Sequence, residues 1–239
     1  MAGINSNTKL MLHLNQNLDD ESLLDHTVTG HNFAYNASGK FSTYAGSFNG
    51  SNAYLSVPAS SGAWDVGASS SDNWTIDFWI KTSSASAQYL LTDYINDNER
   101  WLMYYYPGVE GFTFYLKDNG SNIIGFSTSA SLTTVNSDWH HIALCKVADE
   151  YGLYVDGVQY GYTQDSDTNS INGTLVVGKR DTGGGGNYFN GLMDEIRVQK
   201  SNYFNASPNS GKTDTFAVPT EEYTEDAVST KSQLIYLFS

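Results

Sequence analysis

The chain has 239 residues, 40% of them hydrophobic and only 16% charged, with 22 Gly, 17 Tyr, 11 Phe and a net charge of −14. That length supports a real hydrophobic core, and a glycine- and aromatic-rich, charge-poor profile predicts a turn-rich β protein rather than a helical one. The acidity disfavours a nucleic-acid or anionic-membrane partner, and a single cysteine, Cys145, excludes an intrachain disulfide.

The N-terminal stretch MAGINSNTKLMLHLNQ carries no basic leader and too short an apolar run to cross a bilayer. It predicts no signal peptide and no membrane insertion. KLMLHL (9–14) reads as the first strand, and GSFNGSNAYLSV (46–57), WTIDFWIKT (74–82), QYLLTDYI (88–95), RWLMYYY (100–106), GFTFYLKD (111–118) and IIGFSTS (123–129) follow as further strands. Then come WHHIALCKV (139–147), EYGLYVDGVQYGYT (150–163), TLVVGKR (174–180), GLMDEIRVQ (191–199) and QLIYLF (233–238). Short alternating runs at near-regular spacing, broken by Gly, Asn, Asp and Ser, predict a β-sandwich or barrel. Asp156-Gly157 and Asn119-Gly120 are hairpin signals, because a two-residue turn wants positive φ there. SPNSGK (207–212) is the one stretch that reads as a helical turn. QLIYLF echoes KLMLHL and would pair beside it, or add to a neighbouring molecule and so build a homo-oligomer.

Candidate functional residues are sparse. Counting by twos through FNGLMDEIRVQK (189–200) puts Leu192, Asp194, Ile196 and Val198 on one face, so Asp194 would point into an apolar row. A buried carboxylate there demands a cation, an arginine or convergent N–H donors. His140 and His141 are adjacent in a strand and face opposite ways, which argues against a shared metal. DSDTNS (165–170) starts like an EF-hand loop, but Ser170 and Val176 occupy the places of the glycine and the bidentate acid, leaving a polar loop. Cys145, in HIALCKV, is expected to be a buried, inert thiol. Trp79, Tyr104, Tyr106 and Tyr188 are candidate sugar platforms, with Asp93, Asn96 and Asp97 in an Asp/Asn-rich loop as polar partners; Trp101 and Tyr105 are expected in the core.

KLMLHLNQNLDDESLLDHTVTGHNFAY, AGSFNGSNAYLSV, DNWTIDFWIKT, SDWHHIALCKV, YGLYVDGVQ, TLVVGK and YFNGLMDEIRVQKSNYF, in that order, resemble the LamG-like domains of the concanavalin A-like lectin/glucanase superfamily. The resemblance implies an all-β, two-sheet antiparallel jelly-roll sandwich over residues 1–206, followed by a C-terminal extension, 207–239, with a final strand. Carried over from the family, Asp194 would bind a structural Ca2+ with the backbone at Gly50, and Asp19 nearby; the family's early acidic motif departs here, with Asn15 in the usual Asp position. His26 and Trp139 match structural positions. The glucanase Glu-x-Asp-x-x-Glu pattern that places two carboxylates about one glycosidic bond has no counterpart, since the matching strand carries Asp77 alone. DTFAVPTEEYTED is similar to the segment that follows such domains in phage structural proteins. The resemblance therefore implies a non-catalytic glycan-binding or adhesion domain on a virion surface or outside the cell, its partners being carbohydrate or other virion proteins. The alternative is a purely structural capsid or tail decoration protein.

Overall fold

The structure is a computed structural model and describes residues 2–129, 138–181 and 186–226. The first strands are β1 (Ala2–Ile4), β2 (Thr8–Leu12), β3 (Thr29–His31), β4 (Ala34–Asn36), β5 (Ala45–Asn49), β6 (Tyr54–Val57), β7 (Trp74–Lys81), β8 (Gln88–Asn96) and β9 (Glu99–Tyr106). The rest are β10 (Gly111–Asp118), β11 (Ser121–Ser127), β12 (His140–Val147), β13 (Glu150–Val155), β14 (Val158–Gln164), β15 (Thr174–Val177), β16 (Asn190–Gln199) and β17 (Thr224–Glu225). A seven-stranded sheet runs β11-β10-β9-β8-β15-β6-β3; an eight-stranded one runs β14-β13-β12-β7-β16-β5-β4, with β2 also on β16. Their ladders are antiparallel, and the two sheets form the jelly-roll sandwich. β1 pairs with β17 in a small parallel pair. QLIYLF lies outside the described residues.

Alternation builds the core. Ile76, Phe78 and Ile80 of β7 face inward with Trp101, Met103 and Tyr105 of β9 and Phe112, Phe114 and Leu116 of β10, all at 2% exposure or less. Trp101 is anchored twice, because its indole N–H also donates to the Trp64 carbonyl at 2.8 Å. Both hairpin signals form as read: Asp156 and Gly157 have φ of 49° and 78°, Asn119 and Gly120 of 47° and 80°. Cys145 is buried, and burial pushes its thiol well up, which suits an inert side chain. Residues 207–212 form no helix; a turn closes there instead, with the Lys212 N–H on the Asn209 carbonyl at 2.9 Å.

Strand β16 departs from simple alternation. Its ladder with β7 shifts between Asp194, opposite Trp79, and Arg197, opposite Asp77, and Glu195 has φ of 52°. This is a β-bulge with a left-handed residue, and it inverts the facing of everything beyond it. Met193, Ile196 and Val198 therefore face the core, while Asp194, Arg197 and Gln199 face outward. The expected row Leu192–Asp194–Ile196–Val198 is corrected: Asp194 does not share a face with Ile196 and Val198. A left-handed glutamate costs roughly 1 kcal/mol. Its carboxylate offsets this by accepting from the Tyr223 N–H at 2.9 Å and meeting His13 Nδ1 at 2.5 Å.

The outer face of the eight-stranded sheet is sealed by the chain's own C-terminal segment. Phe204 and Phe216 stack at 4.2 Å over Ala143, Cys145 and Tyr154, while Tyr203 and Tyr223 close over Met11 and Ile4. Beneath them, Asp77 gathers Arg197 Nε (2.9 Å), the Tyr223 hydroxyl (2.7 Å) and His141 Nε2 (3.1 Å). His140 turns the other way to Asp156 at 2.7 Å, so the adjacent histidines separate as alternation requires.

Candidate functional site on the outer face of the seven-stranded sheet

The two outer faces differ. On the sealed one, Asp77, Cys145, Tyr154 and Arg197 are all within 1% of complete burial. On the seven-stranded sheet the outward positions include Tyr115 of β10, Tyr104 of β9, Tyr89 and Tyr94 of β8 and Tyr54 of β6, and all five stay partly exposed, between the buried Thr92, Leu102 and Thr113. A row of tyrosines thus crosses the sheet. Tyr89 and Tyr104 lie 5.9 Å apart between ring centres, Tyr54 stacks on His31 at 4.1 Å, and Tyr188 joins Tyr54 at 6.4 Å. Lys179 Nζ lies over Tyr54 at 4.7 Å, a cation–π contact that holds the ring flat.

Charged groups punctuate the row in pairs. Arg100 meets Asp97 at 3.2 Å; Arg180 reaches Asp181 at 2.9 Å and Asp97 at 3.8 Å. The Tyr104 hydroxyl donates to Glu110. Burial and then that hydrogen bond push the Tyr104 phenol up to about 12, so it keeps its proton at any physiological pH. Ring faces flanked by fixed donors and acceptors suit a hydroxyl-rich ligand, which presents C–H faces and O–H edges together.

The predicted platform residues divide. Tyr104 and Tyr188 are on this surface, Tyr106 is at its rim at 37% exposure, and Asn96 and Asp97 form the β8–β9 turn at one end. Asp93 faces inward, fully buried, with the Gly173 N–H on Oδ1 at 2.7 Å; burial pushes its carboxyl well up. Trp79 belongs to the opposite sheet and is 4% exposed beneath Phe41 and Lys40, whose Nζ is 3.9 Å from the ring. Tyr54, Tyr89, Tyr94, Tyr115 and Glu110 were not signalled by the sequence reading.

The three residues carried over as calcium ligands do not converge. Asp194 Oδ2 accepts the Lys40 N–H at 2.7 Å and Oδ1 the Glu195 N–H at 3.0 Å, so each oxygen has one backbone donor. Gly50 follows Asn49, the partner of Asn190, four residues along β16 and roughly 13 Å away at ~3.3 Å per residue. Asp19 is exposed and borders a different hollow, with Asp20, Asp25 and His26. Asp20 itself is structural, accepting from the backbone N–H groups of Met11 and Ser22 and from that of His26, whose ring meets it at 2.6 Å.

Burial, with Glu195 and Glu222 as like charges, raises the Asp194 carboxyl to about 7 despite its two N–H donors. The folded chain then keeps this proton up to about pH 7, whereas an unfolded aspartate releases it near pH ~4. Stability from this group is complete below the unfolded value and declines as pH rises through the folded one. Going from pH 5 to pH 8 is expected to cost on the order of 2–3 kcal/mol, with Asp194→Asn flattening the slope. Urea titrations of both proteins at the two pH values check this; identical slopes would remove Asp194 as the cause.

Comparison with solved structures finds the same fold in other proteins. The chain superposes on the binding domain of Paraclostridial Mosquitocidal Protein 1 with TM-score 0.65 at 16% identity, covering 84% of this chain and 53% of that one. The botulinum neurotoxin serotype D binding domain gives TM-score 0.61 at 19% identity, covering 83% and 49%. Domain 4 of AbnA, a GH43 extracellular arabinanase from Geobacillus stearothermophilus, in complex with arabinotriose, gives 0.59 at 17%, covering 82% and 93%. The chain spans about half the length of the two toxin domains and nearly all of the arabinanase domain. No curated protein matches its sequence. The Laminin_G_3 model, described as the concanavalin A-like lectin/glucanases superfamily, matches residues 49–203, and the chain belongs to that family.

Proposed function

We propose that the chain is a non-catalytic glycan-binding domain whose ligand surface is the outer face of the seven-stranded sheet, and that it serves as an accessory protein on a phage virion. The observation that carries the reading is the asymmetry of the sandwich: one outer face is sealed by residues 203–226, and the other presents Tyr54, Tyr89, Tyr94, Tyr104 and Tyr115 among paired charges. The arabinotriose complex of the AbnA domain, which shares the fold along nearly its whole length, supports a sugar as the ligand class. The virion role rests on the likeness of the segment after residue 212 to phage structural proteins.

A glycan array tests it, run with calcium and again with chelator on wild type and Tyr89→Ala. Selective binding that falls roughly tenfold in the variant is expected, the size of a truncated anchor residue. Silence from folded wild-type protein under both conditions would sink the reading.

A further inference from the structure

Within the tyrosine row, one position lacks a side chain where the sheet would otherwise be covered. Gly125 of β11 is directly opposite Tyr115 of β10, and a Cβ built on it would meet only the edge of the Tyr115 ring, at 3.6 Å. The missing side chain leaves a depression of about 250 Å³, with Tyr104 and Tyr115 as walls and Glu110, Thr113 and Ser127 at its edge. Pockets that bury drug-sized ligands run to ~300–1,000 Å³, so this one is scaled to a single ring. The walls are fixed, because Tyr104 donates to Glu110 and Tyr115 to Asn122.

On the strength of the glycan-binding reading above, we infer that the depression over Gly125 is a subsite for one uncharged pyranose ring with vicinal hydroxyls. A carboxylate has about four acceptor sites. The Tyr104 hydroxyl uses one, which leaves Glu110 able to accept two neighbouring sugar O–H groups side by side. The phenyl faces of Tyr104 and Tyr115 cover the C–H faces of the ring. Electrostatics then select the class: Glu110 brings a negative charge, and among the described residues the lining contains no Lys or Arg. A carboxylated or sulphated sugar would meet repulsion with no compensating partner.

Gly125→Val tests the floor of the site. Gly125 is not at positive φ, the built Cβ makes ordinary contact, and valine favours strands, so the variant should fold with an unchanged Tm. It is expected to lose at least tenfold in affinity for neutral glycans that bind wild type; Gly125→Ala should lose less. Glu110→Gln should weaken neutral glycans and raise the relative signal of carboxylated ones. Tyr188→Ala, at the far end of the same face, separates the two readings. If Tyr188→Ala loses binding while folded Gly125→Val and Glu110→Gln bind like wild type, the subsite is overturned and the ligand face stands. If wild type binds only anionic glycans, the uncharged-ring assignment is overturned. If no glycan binds at all, the ligand face itself falls.

Discussion

Replacing Arg197 by alanine is expected to lower stability by about 3–5 kcal/mol, the cost of breaking a buried ion pair by removing one partner. The guanidinium is wholly buried, with Nε 2.9 Å from Asp77 and its plane held between the rings of Tyr203 and Tyr223 at 3.7 and 3.8 Å. Burial alone would raise the Asp77 carboxyl; Arg197, then His141 and Tyr223, bring it below its ordinary value instead. Without Arg197 that carboxylate keeps only the histidine and the phenol, and the two tyrosines close on empty space. Arg197→Lys should rescue little, because an ammonium has no planar surface to fill the gap between the rings. At roughly 2–4 °C per kcal/mol for a chain of this size, the melting temperature should fall on the order of 10 °C. Tyr203 and Tyr223 both belong to the C-terminal segment, so limited proteolysis should cut between residues 205 and 222 sooner in the variant. A loss below ~1 kcal/mol would mean that this pair does not hold the segment down.

Lys146→Met is expected to cost about 2–3 kcal/mol for a different reason. The ammonium is buried and donates to three backbone carbonyls, those of Ser69 (2.7 Å), Asp72 (2.8 Å) and Ala148 (2.5 Å). It organises the loop before β7 as a bound cation would. Methionine keeps the aliphatic stem and removes only the donors, so the loss measures three half-buried carbonyls, each at the low end of the ~1–3 kcal/mol of a buried unsatisfied group. Chemical denaturation gives the number, and hydrogen exchange across residues 66–73 gives the place. Exchange unchanged in that loop would show that the carbonyls find other donors.

Much of the sandwich was legible because its eight-residue strands alternate cleanly. β7, β9, β10 and β12 each send every second residue into the core, and the Asp156-Gly157 and Asn119-Gly120 turns carry their own backbone signature. β3 and β4 were missed: three residues apiece, exposed or half-buried, they carry no period at all. The site was legible only in part. Both Leu90 and Leu91 enter the core where β8 shifts register, so counting by twos cannot place Tyr89 and Asp93 together, and Asp93 turns inward while Tyr89 turns out. The outward position of Trp79 follows from alternation, but its burial depends on Phe41, Lys40 and a sheet face closed by residues more than 120 positions later. No local pattern around Trp79 contains that information.

Glu195 gives the chain a reading frame in space as well as in sequence. Upstream of it odd-numbered residues of the strand are internal, and downstream even-numbered ones are. Excising this one residue would run Asp194, outside, straight into Ile196, inside, so the facings on both sides would survive and only the bulge with its carboxylate contacts would go. Keeping the residue but flattening the bulge into regular strand would instead turn Ile196 and Val198 outward and carry Arg197 and Gln199 between the sheets. The facing of the C-terminal half of β16 therefore hangs on one residue holding a left-handed backbone, a matter of conformation that composition does not record.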